Sequence, residues 1–340
     1  MSKPKAIDLF SGAGGATQGL RDAGFDVIGA VEFDRDAAAS YRLNHPNAKV
    51  WELDIRGLAA TKMRESLGLK VGELALLKAC PPCQGFSTLA EGRVVGDDAR
   101  NELVLDSVRF VRAFKPRGVL LENVPGLGRD KRLALLLDAL RKLGYSAQSY
   151  IVNAADFGVP QSRRRLIVVA LRGLRSKLPE SLTPSDPEVP VSVREAFEQL
   201  HAHKLEDDHL SMHRAISDKV RRRIEAIPVG GNRHSLPPEL QLACHIKLGT
   251  KSGAMGSYAR LKADMPSATM TTRCTTPACG PFIHPTEDRP ITLREAATLQ
   301  TFPPTYQFVG GHTSIERQIG NAVPVQMATR IASSLLVRIS

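Results

Sequence analysis

The sequence predicts a doubly wound α/β domain with a mostly parallel sheet, joined to a smaller, irregular domain. Three observations lead there. Short apolar, β-rich runs alternate with helix-patterned segments through the first half of the 340 residues, the signature of a sheet covered by helices on both faces. Glycines or acids stand at the ends of several of these runs, where open α/β sheets bind ligands. After Leu171 the alternation stops and Pro, Gly, His and Arg dominate.

The predicted strands are Ala6 to Phe10, Val27 to Glu32, Val50 to Asp54, Glu73 to Ala79, Gly118 to Val124 and Arg165 to Leu171. Between them, RDAAASYRLN and RLALLLDALRKLG carry helical periodicity, and Gly144 closes the second as a helix C-cap. The Pro-rich stretch LPESLTPSDPEVP leads into the irregular part. Regularity returns with TLREAATLQ and with a final amphipathic helix in NAVPVQMATRIASSLLVRI. The expected division is 1–175 with 313–340 as one domain and 176–312 as the other.

Composition narrows the partner class. Hydrophobic residues make up 42% and charged residues 24%, ordinary globular usage. No segment reads as a signal peptide or membrane span, and five unevenly spread cysteines make no disulfide framework, so a reducing, cytoplasmic setting is expected. The formal net charge of +11 and pI near 9.6 favour a polyanionic partner.

The stretch DLFSGAGG, Asp8 to Gly15, puts a glycine loop between the first strand and a helix. There, backbone N–H groups can approach a ligand closely. A dinucleotide fingerprint fails, because Thr17 stands where the third glycine would. Glu32 ends the second predicted strand, placed to accept from ribose hydroxyls, and Asp54 ends the third, placed to accept from an adenine amino group. The plainer alternative is that both acids cap the helices that follow. A nucleoside site without the second half of a dinucleotide suggests S-adenosylmethionine.

ACPPCQGFS, Ala79 to Ser87, ends another strand with a C-x-x-C pair, Cys80 and Cys83. A redox disulfide wants that pair at a helix start, whereas here a long polar loop follows, Gly85 to about Arg100. A zinc site recruiting Cys274 and Cys279 has poor spacing, and no metal is expected. The remaining reading is covalent catalysis by Cys83, with Cys80 packed as a small hydrophobe.

These blocks, in order DLFSGAGG, VEFD, LDI, PPCQGFS, ENV, QSRRR, LREAATLQTFP and RQIGNAVP, resemble the bacterial-type cytosine-C5 DNA methyltransferases over essentially the whole chain. The resemblance implies methyl transfer from S-adenosylmethionine to C5 of a cytosine flipped out of duplex DNA. It assigns Cys83 as the nucleophile at C6, Glu122 to N3 and the exocyclic amine, Arg165 to the base O2, and Arg163 to a phosphate and the catalytic loop. The Gly85 to Arg100 loop would be the lid. Cofactor contacts fall to Phe10, stacking on the adenine, and to Ser11, Gly12, Gly14, Gly15, Glu32, Asp54, Pro81 and Asn321. Expected DNA contacts are Gln84 and Ser87, with Arg221, Arg223, Arg233 and Lys251 in the variable, target-recognising part.

HAHKLEDDHLSMH lacks the Glu of a metal-binding H-E-x-x-H and reads as a solvated or DNA-facing helix. The family's tRNA-modifying branch carries a Cys-Phe-Thr run soon after ENV, where this chain reads ENVPGLG. A non-catalytic DNA-binding regulator is opposed by the intact Cys83, Glu122, Arg163 and Arg165 set. The resemblance also implies a monomer near the nucleoid, working beside a restriction endonuclease or alone.

Overall fold

A computed structural model describes residues 3–82, 102–173, 177–185, 189–203, 206–243, 246 and 256–339. They group into two units: Met1–Phe157 with Arg164–Glu188 and Val323–Ser340, and Gly158–Arg163 with Val189–Ala322.

The first unit is a seven-stranded sheet. Its elements run β1 (Lys5–Leu9), α1 (Gly15–Asp22), β2 (Asp26–Glu32), α2 (Arg35–Asn44), β3 (Lys49–Glu52), α3 (Ala60–Ser66), β4 (Leu76–Ala79), α4 (Leu103–Phe114), β5 (Gly118–Asn123), α5 (Lys131–Lys142), β6 (Tyr145–Asn153) and β7 (Arg164–Arg172). The strand order is β3-β2-β1-β4-β5-β7-β6. The first five strands pair in parallel, and β7 is antiparallel to both β5 and β6. The chain order reverses beside β1, so ligands are expected outside the carboxyl ends of β1 and its neighbours.

All six predicted strands and both predicted helices of this unit form. The seventh strand, β6, was not expected. Its sequence YSAQSYIVN lies at a sheet edge and is mostly half-buried or exposed, so it lacks the continuous apolar run of a strand covered on both faces. Gly144 ends α5 with φ +86°, the left-handed cap inferred for it.

The two faces of the sheet differ in chemistry. Ile7, Leu9, Leu77, Ala79, Val119, Leu121 and Val168 share an apolar core with Met63, Phe110, Phe114, Leu136 and Leu140 from α3, α4 and α5. Strand side chains alternate, so Asp8, Lys78, Leu120 and Glu122 face the other way. On that side α1 packs against the final helix, α10 (Val325–Ile339). The contact is very close at Gly19, where an added Cβ would stand 2.6 Å from both the Ala328 Cβ and the Val325 carbonyl oxygen.

The second unit holds α6 (Val193–Ala202), α7 (Asp218–Glu225), α8 (Leu293–Leu299), α9 (His312–Asn321) and several 3-10 turns. Among the described residues its strand pairing is confined to isolated bridges. Buried backbone carbonyls still need donors, and arginines supply them. Arg260, 6% exposed, donates to the carbonyls of Ile224, Ile227, His284 and Glu287 and also binds Asp288. Arg294 grips Asp208 through two nitrogens at 2.8 and 2.9 Å.

The domain boundary needs correcting. Residues 313–322 group with the second unit, not the first. Glu316 accepts from the Thr275 amide at 2.9 Å, and Gln300 donates to the Ile319 carbonyl at 2.6 Å. At Gly320 an added Cβ would fall 2.1 Å from the Thr271 carbonyl oxygen. No helix of the described residues is long and apolar enough to cross a membrane.

Gly19→Ala tests the α1–α10 contact. Helix propensity alone favours alanine by about 1 kcal/mol, but the overlap with α10 should win, destabilising by roughly 1–3 kcal/mol. Thermal unfolding should show a lower Tm, and a raised one would refute this packing.

Candidate active site

The carboxyl ends of β1, β2, β4 and β5 bring most of the first unit's candidates to one edge of the sheet. After β1 the chain turns through Phe10 at φ 58°, Gly12 at φ +57° and Gly14 at φ +99°. These left-handed conformations favour glycine, and Phe10 is the uncommon non-glycine case. The Ser11 amide donates to the Val31 carbonyl at 3.0 Å, pinning the loop to β2. The Gly12 amide donates to Glu32 Oε2 at 2.7 Å.

Glu32 also accepts from the amides of Phe33 and Asp34 at 2.9 and 2.8 Å. Burial nevertheless pushes its carboxyl above the ordinary value, against the pull of these amides. It does not cap the next helix, for Asp34 caps α2 through the Ala37 amide. Asp54 does cap, accepting from the Arg56 amide at the turn Ile55–Gly57 and gripping the Arg56 side chain. That hydrogen bond holds its carboxyl below the ordinary range. The capping reading therefore describes Asp54 here and fails for Glu32.

Two features of the loop suit a bound nucleoside. Ser11 Oγ is buried with no hydrogen-bond partner among the described residues, and the space where a Cβ of Gly12 would stand is open. Phe33, which the sequence reading passed over, is 74% exposed beside Glu32. An aromatic ring left in solvent next to a half-buried carboxylate offers a stacking surface. Its signal was available in VEFD, an aromatic directly after the acid that ends a strand.

Glu122, 6% exposed at the end of β5, is held from two sides. Arg165 Nε lies 2.7 Å from Oε1, and the Cys80 thiol donates to Oε2 at 2.7 Å. Cys80 was expected to pack as a small hydrophobe. Instead β4–β5 pairing carries it to the glutamate, and it acts as a polar partner. The next residue, Asn123, donates through Nδ2 to the Pro81 carbonyl at 3.1 Å and accepts from the Val124 amide at 2.8 Å. It thereby ties the start of the PPCQ segment to the end of β5. Cys83, Gln84, Ser87, Lys251 and the Gly85 to Arg100 segment lie outside the described residues.

Several of the arginines expected at the site are buried. Arg163, 3% exposed, belongs to the second unit and donates to the carbonyls of Met270, Gly320 and Ala322. A guanidinium so placed braces backbone. Arg223, 5% exposed, donates to the Leu240 carbonyl and lies over the Tyr258 ring. Arg233 is 3% exposed. Neither presents a free cationic head to DNA, whereas Arg221 is exposed. Asn321 is exposed at the end of α9, in the second unit. Among the described residues no cluster of His, Cys, Asp and Glu is arranged to hold a metal.

Comparison with known proteins finds relatives along nearly the whole chain. Residues 4–336 match the family described as C-5 cytosine-specific DNA methylase. Type II methyltransferase M.AgeI of Thalassovita gelatinovora is 30% identical, over 99% of this chain and 100% of its own. Type II methylase M.HgiDII of Herpetosiphon aurantiacus is 34% identical, over 97% of this chain and 94% of its own. Among solved structures, a prophage-encoded candidate DNA modification methyltransferase of E. coli superposes with a TM-score of 0.71. It shares 27% identity over 98% of this chain and 99% of that one.

The Glu32 contacts make a testable claim about the loop. Glu32→Ala should speed hydrogen exchange at the Gly12, Phe33 and Asp34 amides at least tenfold, since a charge-assisted hydrogen bond is worth about 1.5–3 kcal/mol. Unchanged exchange at all three would contradict the arrangement.

Proposed function

The chain belongs to the C-5 cytosine-specific DNA methylase family and transfers a methyl group from S-adenosylmethionine to C5 of cytosine in DNA; we propose that it does so through Cys83, Glu122 and Arg165 acting on a flipped-out base. The observation that carries this assignment is the Glu122 carboxylate held between Arg165 and Cys80, one residue before the Asn123 that tethers the PPCQ segment.

Carbon 5 of cytosine is a poor nucleophile. When the Cys83 thiolate adds to C6, the ring becomes enamine-like and C5 gains nucleophilic character. A free thiol with a pKa of about 8.5 is only partly ionised at neutral pH, so local positive charge is needed. Glu122 contacts N3 and the exocyclic amine and moves a proton at N3 as addition proceeds. Arg165 orients Glu122 and supports charge at the base O2. S-adenosylmethionine supplies an electrophilic methyl group when bound. Glu32 would receive its ribose hydroxyls, Phe33 and Phe10 its adenine, and Ser11, Gly12, Gly14, Gly15 and Pro81 would line its site. The unpartnered Ser11 Oγ and the open Gly12 position support this placement.

A base within a duplex hides C5 and C6 in the stack, so the target cytosine must leave it, at a cost of a few kcal/mol. Target reading belongs to the second unit, with Arg221 the exposed member of the proposed contact set. The type II names of the relatives support a role beside a restriction endonuclease, and the chain is proposed to work as a monomer.

Bisulfite sequencing of DNA from cells expressing the chain should reveal 5-methylcytosine within one short sequence context. Purified Glu122→Gln should lose about 10²–10⁴ in methylation rate, the usual weight of a positioned proton donor or acceptor. Phe33→Ala should weaken S-adenosylmethionine by roughly 0.5–1.5 kcal/mol, about 2- to 13-fold in Kd. Unmethylated DNA, or a fully active Glu122→Gln enzyme, would refute the corresponding assignment.

A further inference from the structure

One buried ion pair of the first unit has no part in the chemistry above. Asp8 is fully buried and Lys78 is 3% exposed, with the Lys78 ammonium 2.8 Å from Asp8 Oδ1. Thr17 of α1 donates to Asp8 Oδ2 at 2.7 Å, and Tyr41 of α2 meets the same hydroxyl at 3.0 Å. Taking two charges out of water is costly, and an apolar pair of similar volume would hold the sheet as well or better. A charge pair retained in the middle of a sheet therefore invites a role beyond stability.

The sheet register supplies that role. Asp8 on β1 pairs with Lys78 on β4, and Lys78 pairs with Leu120 on β5. Glu122 lies two residues further along β5, hence on the same face, and it pairs with Ile167 of β7. Arg165, two residues from Ile167, shares this face and binds Glu122. Four adjacent strands thus carry a row of alternating charge: Asp8 negative, Lys78 positive, Glu122 negative, Arg165 positive. Lys78 and Glu122 line one cavity of about 20 Å³, whose other walls include Leu20, Leu120, Ile167 and Met327. With such apolar surroundings, the two charges interact more strongly than on a surface.

The ammonium keeps its charge in this setting. Burial is the largest single influence and works against it, but Asp8 and the other acidic groups nearby together outweigh it, and its pKa is raised.

We propose that Lys78 is a positioning residue for methyl transfer: anchored by Asp8, its ammonium acts across the shared cavity on the Glu122 carboxylate, whose direct partners are Arg165 and Cys80, so that the carboxylate meets N3 of the base in the right place. This rests on the reading of Glu122 as the group at N3. Cys80 reaches the same carboxylate from the end of β4, and α1 and α10 contribute only apolar side chains to the cavity.

The test is a pair of variants of the full-length enzyme assayed for methyl transfer to duplex DNA. Lys78→Met alone leaves Asp8 buried without its cation and should unfold more easily. The double variant Asp8→Asn with Lys78→Met removes both charges together and should recover most of the lost Tm. If Lys78 serves Glu122, the double variant stays slow, with kcat down about tenfold or more. Its KM for DNA and for S-adenosylmethionine should stay within threefold of wild type. A double variant with kcat within twofold of wild type, or a loss lying in KM alone, would overturn the proposal and leave Lys78 as a counter-ion only. Should the double variant not fold, Lys78→Gln, which keeps a donor for Asp8 without the charge, is read in the same way. Glu122→Gln assayed alongside separates the two readings: an active Glu122→Gln enzyme removes the role of Glu122 itself, whereas an inactive one beside a fast double variant removes only that of Lys78.

Discussion

Glu122 between Arg165 and Cys80 is the interaction on which the rest of the first unit converges. A carboxylate that is 6% exposed is tolerable only when paired and hydrogen-bonded, and here the partners come from two neighbouring strands. Arg165 arrives on β7 because that strand runs antiparallel to β5, and Cys80 arrives because β4 runs parallel to it. Asn123, one residue on, uses its amide to fix the Pro81 backbone. Two adjacent residues at the end of one strand thus serve two needs, the proposed proton transfer at the base and the place where the PPCQ segment begins.

The second unit solves a different problem with the same residue type. It has little sheet to satisfy its backbone, and its arginines take over. Arg163, Arg223 and Arg260 turn their guanidinium groups inward onto carbonyl oxygens. An irregular domain gains rigidity this way without regular hydrogen-bond ladders, because one guanidinium offers five donors in a fixed plane. Its net positive composition is therefore only partly available to a nucleic acid. Exposed groups such as Arg221 keep their charge available to solvent, which the arginine count alone does not show.

Much of this was legible in the residues. Apolar runs found six of seven strands, and the ends of β1, β2 and β5 carried the glycine loop, Glu32 and Glu122 as expected. What escaped had physical reasons. β6 sits at an edge and carries no continuous apolar run. Arg163, Arg223 and Arg233 look like a basic surface in sequence, because nothing local distinguishes an arginine that will be buried against carbonyls. Lys78 hides inside ELALLKA, where its partner Asp8 is seventy positions away and is met only through strand register. Cys80 looked apolar for the same reason, since Glu122 reaches it through β4–β5 pairing. Asp54 was placed at the correct strand end, yet its carboxylate is taken by Arg56, two residues later.

The most direct measurement concerns the sulfur itself. Duplex DNA carrying 5-fluorocytosine in the target context stalls the reaction after methyl transfer, because the C5 proton that must leave is replaced by fluorine. Incubation with S-adenosylmethionine, proteolysis and mass spectrometry then identify the peptide bound to the base. The account predicts one cross-linked peptide, joined through Cys83. Attachment through Cys80, or methylation of ordinary DNA with no covalent species on the fluorinated duplex, would contradict it.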